Sequence, residues 1–226
     1  MIALSPRLAA VAAHVLPGEV LADIGTDHAY LPAHLVQAGR IPRAIAGDIL
    51  PGPLEAARTT VAEAELGDRI ELRLGSGLQV LTPGDAACAS ICGMGGPLIT
   101  EILTAGPLGE LQRLILQPMA GEEHVRLWLM RNRWRLIAEE LVEDSGRLYV
   151  VLVAEPGVMT LSPGELLIGP FLRQTGGPLL QRYVRLQLDL ARRAIAGAGS
   201  SDRPEARERV AELGERIRLL EEVLGS

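Results

Sequence analysis

Short apolar runs alternate with stretches of helical periodicity along residues 4–157. The apolar runs have the length and composition of buried strands. They cover residues 19–24, 43–48, 70–74, 86–92, 113–117, 136–142 and 148–154. The stretches with helical spacing cover residues 5–16, 31–37, 54–64, 97–103 and 121–132. Strands that alternate with helices predict an open, mainly parallel α/β sheet, and the turn between the last two strands predicts an antiparallel hairpin.

The pattern changes after residue 157, where the strand runs end and two long helical runs follow at 178–197 and 204–224. The later run repeats apolar residues at alternating spacings of four and three, which is typical of a coiled-coil seam. The seam consists of Ala206, Val210, Leu213, Ile217, Leu220 and Leu224, and the facing stripe of Leu180, Val184, Leu188, Ala191 and Ile195. We therefore expect one domain over 1–157 and an antiparallel coiled-coil hairpin within 158–226. The seam is compatible with a monomer or with a weak dimer through the hairpin.

The composition argues against several classes of function but does not indicate a single one. The net charge is −6, and all 22 basic residues are arginines. This acidity argues against an unselective nucleic-acid coat. The two cysteines lie in a buried strand run, and the histidines lack metal-ligand spacing, so we expect no metal site. No run is long enough to span a membrane, and the predicted location is cytoplasmic.

The first predicted strand runs into an acidic turn, Asp23-Ile24-Gly25-Thr26-Asp27-His28. In open α/β sheets this strand-to-helix turn lies where nucleotide-like ligands bind. A dinucleotide-binding turn has a glycine two residues after the first, which lets the backbone approach a pyrophosphate. Here that position is Asp27, and a carboxylate repels phosphate. The turn therefore favours a nucleoside ligand with a cationic end, such as S-adenosylmethionine.

Three more loops are expected at the same sheet edge. The second strand ends in Asp48, at a place where an acid can accept hydrogen bonds from ribose hydroxyls. The third ends at Gly75-Ser76-Gly77, which can lie against an adenine ring; an ordinary turn is the alternative. The fourth runs into Gly93-Met94-Gly95-Gly96, where the backbone can face the cofactor or a target base. With the final hairpin, these features predict the Rossmann-like class I S-adenosylmethionine-dependent methyltransferase fold, a seven-stranded sheet whose last strand is antiparallel.

Seven sequence blocks carry a resemblance to the bacterial tRNA (adenine(22)-N(1))-methyltransferases. The blocks are Leu4–Leu8, Ala22–Pro32, Ala44–Asp48, Arg73–Leu78, Gly93–Gly96, Leu114–Pro118 and Val153–Gly157. The resemblance implies an S-adenosylmethionine domain followed by a helical hairpin that helps to hold tRNA. Three features depart from the family pattern: Ser76 stands where an aspartate is usual, Met119 where an asparagine is usual, and the C-terminal region has no lysine.

The resemblance and the loop chemistry together give a set of candidate site residues. Asp27 and His28 are the candidates near the reacting atoms, although Asp27 could instead cap the following helix and His28 could only position the loop. The candidates for cofactor binding are Arg7, Asp23, Gly25, Asp27, Asp48, Gly75, Ser76, Gly77, Gly93 and Met94. Arg7 is included on the resemblance alone.

Other interpretations stay open at this point. Arg126, Arg131, Arg133 and Arg135, with Trp128 and Trp134 among them, resemble a basic and aromatic RNA surface, with core packing as the alternative. The chain could also methylate another RNA or a small molecule, because the cofactor loops say nothing of the acceptor. A third possibility is an inactive S-adenosylmethionine-fold binding module.

Overall fold

A computed structural model describes residues 1–198 and 204–225 of the chain. The chain divides into two compact units, Met1–Met159 and Thr160–Ser226. The first unit contains strands β1 (Leu21–Ile24), β2 (Ala44–Asp48), β3 (Ile70–Leu74), β4 (Cys88–Met94), β5 (Arg113–Pro118), β6 (Trp134–Asp144) and β7 (Arg147–Pro156). Its helices are α1 (Pro6–Ala13), α2 (Tyr30–Gln37), α3 (Pro51–Glu63), α4 (Gly96–Ala105) and α5 (Glu122–Arg131), and a short 3-10 helix spans Gly77–Val80.

The seven strands form one sheet in the order β3-β2-β1-β4-β5-β7-β6. Strands β1 to β5 pair in parallel, whereas β7 pairs antiparallel with both β5 and β6. The predicted seven-stranded plan with an antiparallel last strand is therefore confirmed. The reversal of strand order beside β1 places the ends of β1, β2 and β4 next to one another, which is where open α/β sheets bind ligands.

Part of the segment at α5 and β6 that resembles a basic and aromatic surface is packed in the core. The Arg126 side chain is fully buried, and its Nε donates a hydrogen bond to Glu139 Oε1 at 2.7 Å. Trp134 is also buried, and Trp128 is half-buried with its indole N–H donating to Thr104. The surface interpretation is therefore wrong for Arg126 and Trp134. The guanidinium is buried because a carboxylate on the neighbouring strand pairs with it.

The second unit begins with two short helices that the apolar pattern did not predict, α6 (Pro163–Ile168) and α7 (Pro170–Thr175). Ser162 starts α6 with a capping box, in which its hydroxyl and the Glu165 side chain each bond to the other residue's backbone N–H. Gly169, at φ 98°, then separates the two helices. Helices of six residues are too short to show a period, so prolines and glycines alone were visible in the sequence.

Two long helices complete the second unit, α8 (Gly177–Ala198) and α9 (Pro204–Gly225), and they pack against each other. The predicted stripes supply buried residues on both, including Val184 and Leu188 on α8 and Leu213 and Leu220 on α9. The side chain of Ala206 and residues 199–203 lie outside the described part of the chain. The antiparallel coiled-coil hairpin stays a prediction.

Within residues 1–198 and 204–225, no helix is long and apolar enough to cross a membrane. In the same part of the chain, no three His, Cys, Asp or Glu residues are grouped so that they could hold a metal ion.

Candidate active site

The turn after β1 is held in an unusual backbone conformation. Gly25, Asp27 and Ala29 all have positive φ, at 70°, 54° and 55°. The left-handed region costs a non-glycine residue roughly 1–2 kcal/mol, so the surrounding structure must hold Asp27 and Ala29 there. Part of that support comes from β2, since the N–H groups of Gly25 and Thr26 both donate to the Gly47 carbonyl at 2.8 and 3.0 Å.

Asp23, the third residue of β1, forms the acidic floor beneath this turn. It is 6% exposed, and its carboxylate accepts hydrogen bonds from the Thr26 hydroxyl at 2.7 Å and the Ser90 hydroxyl at 2.6 Å. Burial raises the pKa of Asp23 above its ordinary value, although the two hydroxyls oppose the shift. Because β1 lies between β2 and β4, both hydroxyl partners are fixed by strand pairing or by the turn itself.

Asp48, at the end of β2, lies beside the same turn. Its Oδ1 accepts from the Leu50 N–H at 2.9 Å, and its Oδ2 accepts a longer bond from the Asp27 N–H at 3.4 Å. The second bond links the two carboxylate-bearing loops. Each acidic side chain sits at a strand end where a ligand hydroxyl or ammonium group could donate to it.

The loop after β4 approaches the β1 turn closely. A Cβ added to Gly25 would lie 2.0 Å from Met94 Cε, so a larger residue here would displace the Met94 side chain, and the positive φ of the position favours glycine. On the other side of the loop, the N–H of Gly93 donates to Gln117 Oε1 at 3.1 Å. The same oxygen accepts from Arg7 Nη1 at 2.5 Å. Gln117 is a site residue whose role the sequence did not indicate; its signal was a polar residue at the end of an apolar strand, as with Asp23.

Three exposed side chains follow the β1 turn. Asp27 Oδ1 lies 3.7 Å from His28 Nε2, and these side chains are 69% and 46% exposed. The His28 ring stacks on the Tyr30 ring, with centroids 5.1 Å apart and planes within 7°. Asp27 makes no side-chain bond to the start of α2, whose N-cap is Ala29. The helix-cap alternative for Asp27 therefore does not apply, whereas the loop-positioning alternative for His28 remains.

These elements enclose a cavity of about 550 Å³ at the ends of β1, β2 and β4. Its wall includes nearly all the predicted site residues: Arg7, Asp23, Gly25, Asp27, His28, Asp48, Ser76, Gly77, Gly93 and Met94. Gly75 is not part of that wall, and a Cβ at this position would instead meet the Val80 side chain at 2.8 Å. Exposed apolar residues complete the rim: Ile49, Leu50, Leu98 and Met119. An acidic floor under an apolar rim suits a cationic nucleoside better than a phosphate.

Comparisons with known proteins identify the family of this chain. Residues 4–152 match a family model described as a methyltransferase domain. The chain is 38% identical to the Bacillus subtilis tRNA (adenine(22)-N(1))-methyltransferase over 98% of this chain and 97% of the relative.

Solved structures give the same result. The crystal structure of the B. subtilis m1A22 tRNA methyltransferase TrmK has a TM-score of 0.91 and 38% identity, covering 99% of both chains. A Streptococcus pneumoniae relative solved with S-adenosyl-L-methionine has a TM-score of 0.89 and 36% identity, covering 98% of this chain and 100% of the other. The chain belongs to the tRNA (adenine(22)-N(1))-methyltransferase family.

Proposed function

We propose that this protein transfers a methyl group from S-adenosylmethionine to ring nitrogen N1 of adenine 22 in tRNA. The observation that carries the proposal is the cavity at the β1 turn, where Asp23 and Asp48 supply negative charge and Asp27 replaces the glycine of a phosphate-binding turn. The B. subtilis relative carries this activity in its name, and it matches almost the whole chain.

The residues of the cavity fit S-adenosylmethionine. Asp48 is the residue proposed to accept hydrogen bonds from ribose hydroxyls, and Ser76 and Gly77, which line the cavity, are those proposed to contact the adenine ring. Arg7 provides a cation for the ligand's carboxylate, and Asp23 offers carboxyl oxygens near its amino group. When bound, the cofactor supplies an electrophilic methyl group on a sulfonium. The chain's task is then to align the acceptor nitrogen with that group and to exclude water.

Asp27 and His28 are the proposed catalytic residues. Methylation at N1 leaves positive charge on the adenine, and a carboxylate within reach can stabilise it or accept a proton from the exocyclic amine. Asp27 is exposed at the cavity rather than tied to α2, so its carboxylate is available to the base. His28 stacked on Tyr30 gives a flat surface beside it.

Residues 158–226 are the proposed tRNA-binding domain, and residues 1–157 the proposed catalytic domain. N1 lies on the Watson–Crick edge of adenine, so the target base must leave the tRNA fold before it can react. Phosphate contacts would come from arginine alone, because the chain has no lysine. We further infer that the protein works in the cytoplasm as a monomer or as a weak dimer through the helical hairpin; sedimentation over a range of concentrations tests the last point.

The decisive experiment incubates the protein with methyl-labelled S-adenosylmethionine and an unmodified tRNA transcript, followed by nucleoside analysis. We expect 1-methyladenosine with the natural transcript and none with a transcript that carries guanosine at position 22. Label in another nucleoside would instead support a different RNA substrate, and cofactor binding without any transfer would support an inactive binding module. The absence of 1-methyladenosine contradicts the proposal.

Variants test the two proposed catalytic residues. Asp27→Ala and His28→Ala are expected to lower the rate of transfer at saturating cofactor. Asp68→Ala and His124→Ala change exposed residues of the same types outside the cavity and serve as matched controls. Full activity in Asp27→Ala would remove that carboxylate from the mechanism.

A further inference from the structure

Gln117 is a polar side chain at the buried end of β5. Gln117 is 0% exposed and lies directly behind the cavity wall, of which its neighbours Gly93 and Arg7 form part. A fully buried amide requires hydrogen-bond partners for both its oxygen and its nitrogen.

Both ends of the Gln117 amide are engaged. Its Oε1 accepts from Arg7 Nη1 at 2.5 Å and from the Gly93 N–H at 3.1 Å, and its Nε2 donates to the Pro118 carbonyl at 2.8 Å. A flipped amide would place its N–H₂ against two donors and its oxygen against a carbonyl. The orientation of the side chain is therefore fixed by its partners.

The guanidinium of Arg7 is hydrogen-bonded to a neutral amide, although the Asp144 carboxylate also interacts with its charge from farther away. The same guanidinium also lies over the Tyr149 ring, 5.7 Å from the centroid, and the backbone N–H of Arg7 donates to Asp144. Within residues 1–198 and 204–225, the Arg7 guanidinium forms no ion pair with a carboxylate at 4.0 Å or less. A cation held by neutral groups keeps its charge for an anionic ligand, whereas one held by a carboxylate is already neutralised.

We propose that Gln117 is a positioning residue that fixes Arg7 and the Gly93 loop through a neutral amide, and so keeps the charge of Arg7 available to the carboxylate of S-adenosylmethionine. This inference rests on the proposed function. It explains why the position carries glutamine rather than glutamate: glutamate would hold Arg7 at the same distance but would cancel its charge and lose the donor to Pro118.

The test measures binding of two ligands by calorimetry, S-adenosylmethionine and decarboxylated S-adenosylmethionine, which lacks only the carboxylate. Gln117→Glu is expected to weaken S-adenosylmethionine binding at least tenfold and to change binding of the decarboxylated ligand less than twofold. Gln112→Glu, an exposed change of the same kind at the residue just before β5, is expected to alter neither. In an Arg7→Gln background, the effect of Gln117→Glu is expected to disappear.

Equal losses for both ligands, or no loss for either, would overturn the inference. If Gln117→Glu fails to unfold cooperatively on heating, Gln117→Met is used instead in the same binding experiment. It removes the hydrogen bonds without adding charge, and S-adenosylmethionine affinity is then expected to fall at least threefold more than that for the decarboxylated ligand. Wild-type protein that binds neither ligand would contradict the proposed function itself, while a methylating wild type with an unaffected Gln117→Glu variant would contradict only this inference.

Discussion

Substitution of Gly25 by alanine separates the backbone strain of the β1 turn from its role at the cavity. Gly25 has φ 70° and its added methyl would lie 2.0 Å from Met94 Cε. Gly18 has a similar φ of 80°, but a methyl there would meet nothing within 4 Å. Gly18→Ala is therefore a matched control that contains the strain without the contact.

The two variants are expected to lose similar stability. A left-handed alanine costs roughly 1–2 kcal/mol, and the reduced entropy of the unfolded chain returns about 0.4–1 kcal/mol, so the net loss is about 1 kcal/mol in each. The contact at Gly25 adds little to this, because Met94 Cε is the free end of a flexible side chain and can swing away. Urea unfolding of both variants measures the difference.

Ligand binding is expected to differ sharply between them. Both Gly25 and Met94 line the cavity, so a displaced Met94 or the new methyl occupies ligand space. We expect Gly25→Ala to weaken S-adenosylhomocysteine binding at least tenfold, which is about 1.4 kcal/mol, and Gly18→Ala to leave it unchanged. Adding Met94→Ala to Gly25→Ala is expected to recover part of the loss. Binding by Gly25→Ala within twofold of wild type would refute the assignment of this turn to the ligand.

Four further predictions concern stability. Burial raises the pKa of Asp23 in the folded state, so its contribution to the free energy of unfolding is most favourable below the ordinary carboxyl pKa and is lost as the pH rises through the raised value. Urea unfolding from acidic to neutral pH is expected to show this decline in the wild type and not in Asp23→Asn. Gly96→Ala is expected to lower the free energy of unfolding by more than about 3 kcal/mol. Overpacking costs about 1–3 kcal/mol where side chains can move aside, and here the methyl would lie 2.1 Å from a backbone oxygen, which cannot. Gly214→Ala, in the open interior of α9, is expected instead to add about 1 kcal/mol, and a loss there would contradict the helix. Arg126→Met leaves the buried Glu139 carboxylate without this guanidinium and is expected to lower the free energy of unfolding by about 3–5 kcal/mol, as measured by thermal or urea unfolding. A near-neutral result would contradict the importance of this ion pair for stability.

The apolar pattern was sufficient for the strands, because buried strands appear as short apolar runs, and for most helices, because those are long enough to show their period. It failed for α6 and α7, whose six residues are defined by a capping box and by glycines rather than by a repeat. It also failed at Arg126, since a charged residue on an apolar helix face looks like surface until its partner on β6 is known.

Local sequence determined most of the chemistry of the site, because every candidate residue except Arg7 lies near the end of a predicted strand or in the loop after it, and parallel strands bring their ends to one edge. The acidic replacement in the β1 turn and the carboxylate of Asp48 were readable for that reason. Only the tertiary structure decided which side chains meet across the sheet: that Ser90 and Thr26 hold Asp23, that Met94 lies against Gly25, and that Gln117 joins Arg7 to Gly93. Those contacts join residues as far as 110 positions apart, and no local periodicity encodes a distance of that kind.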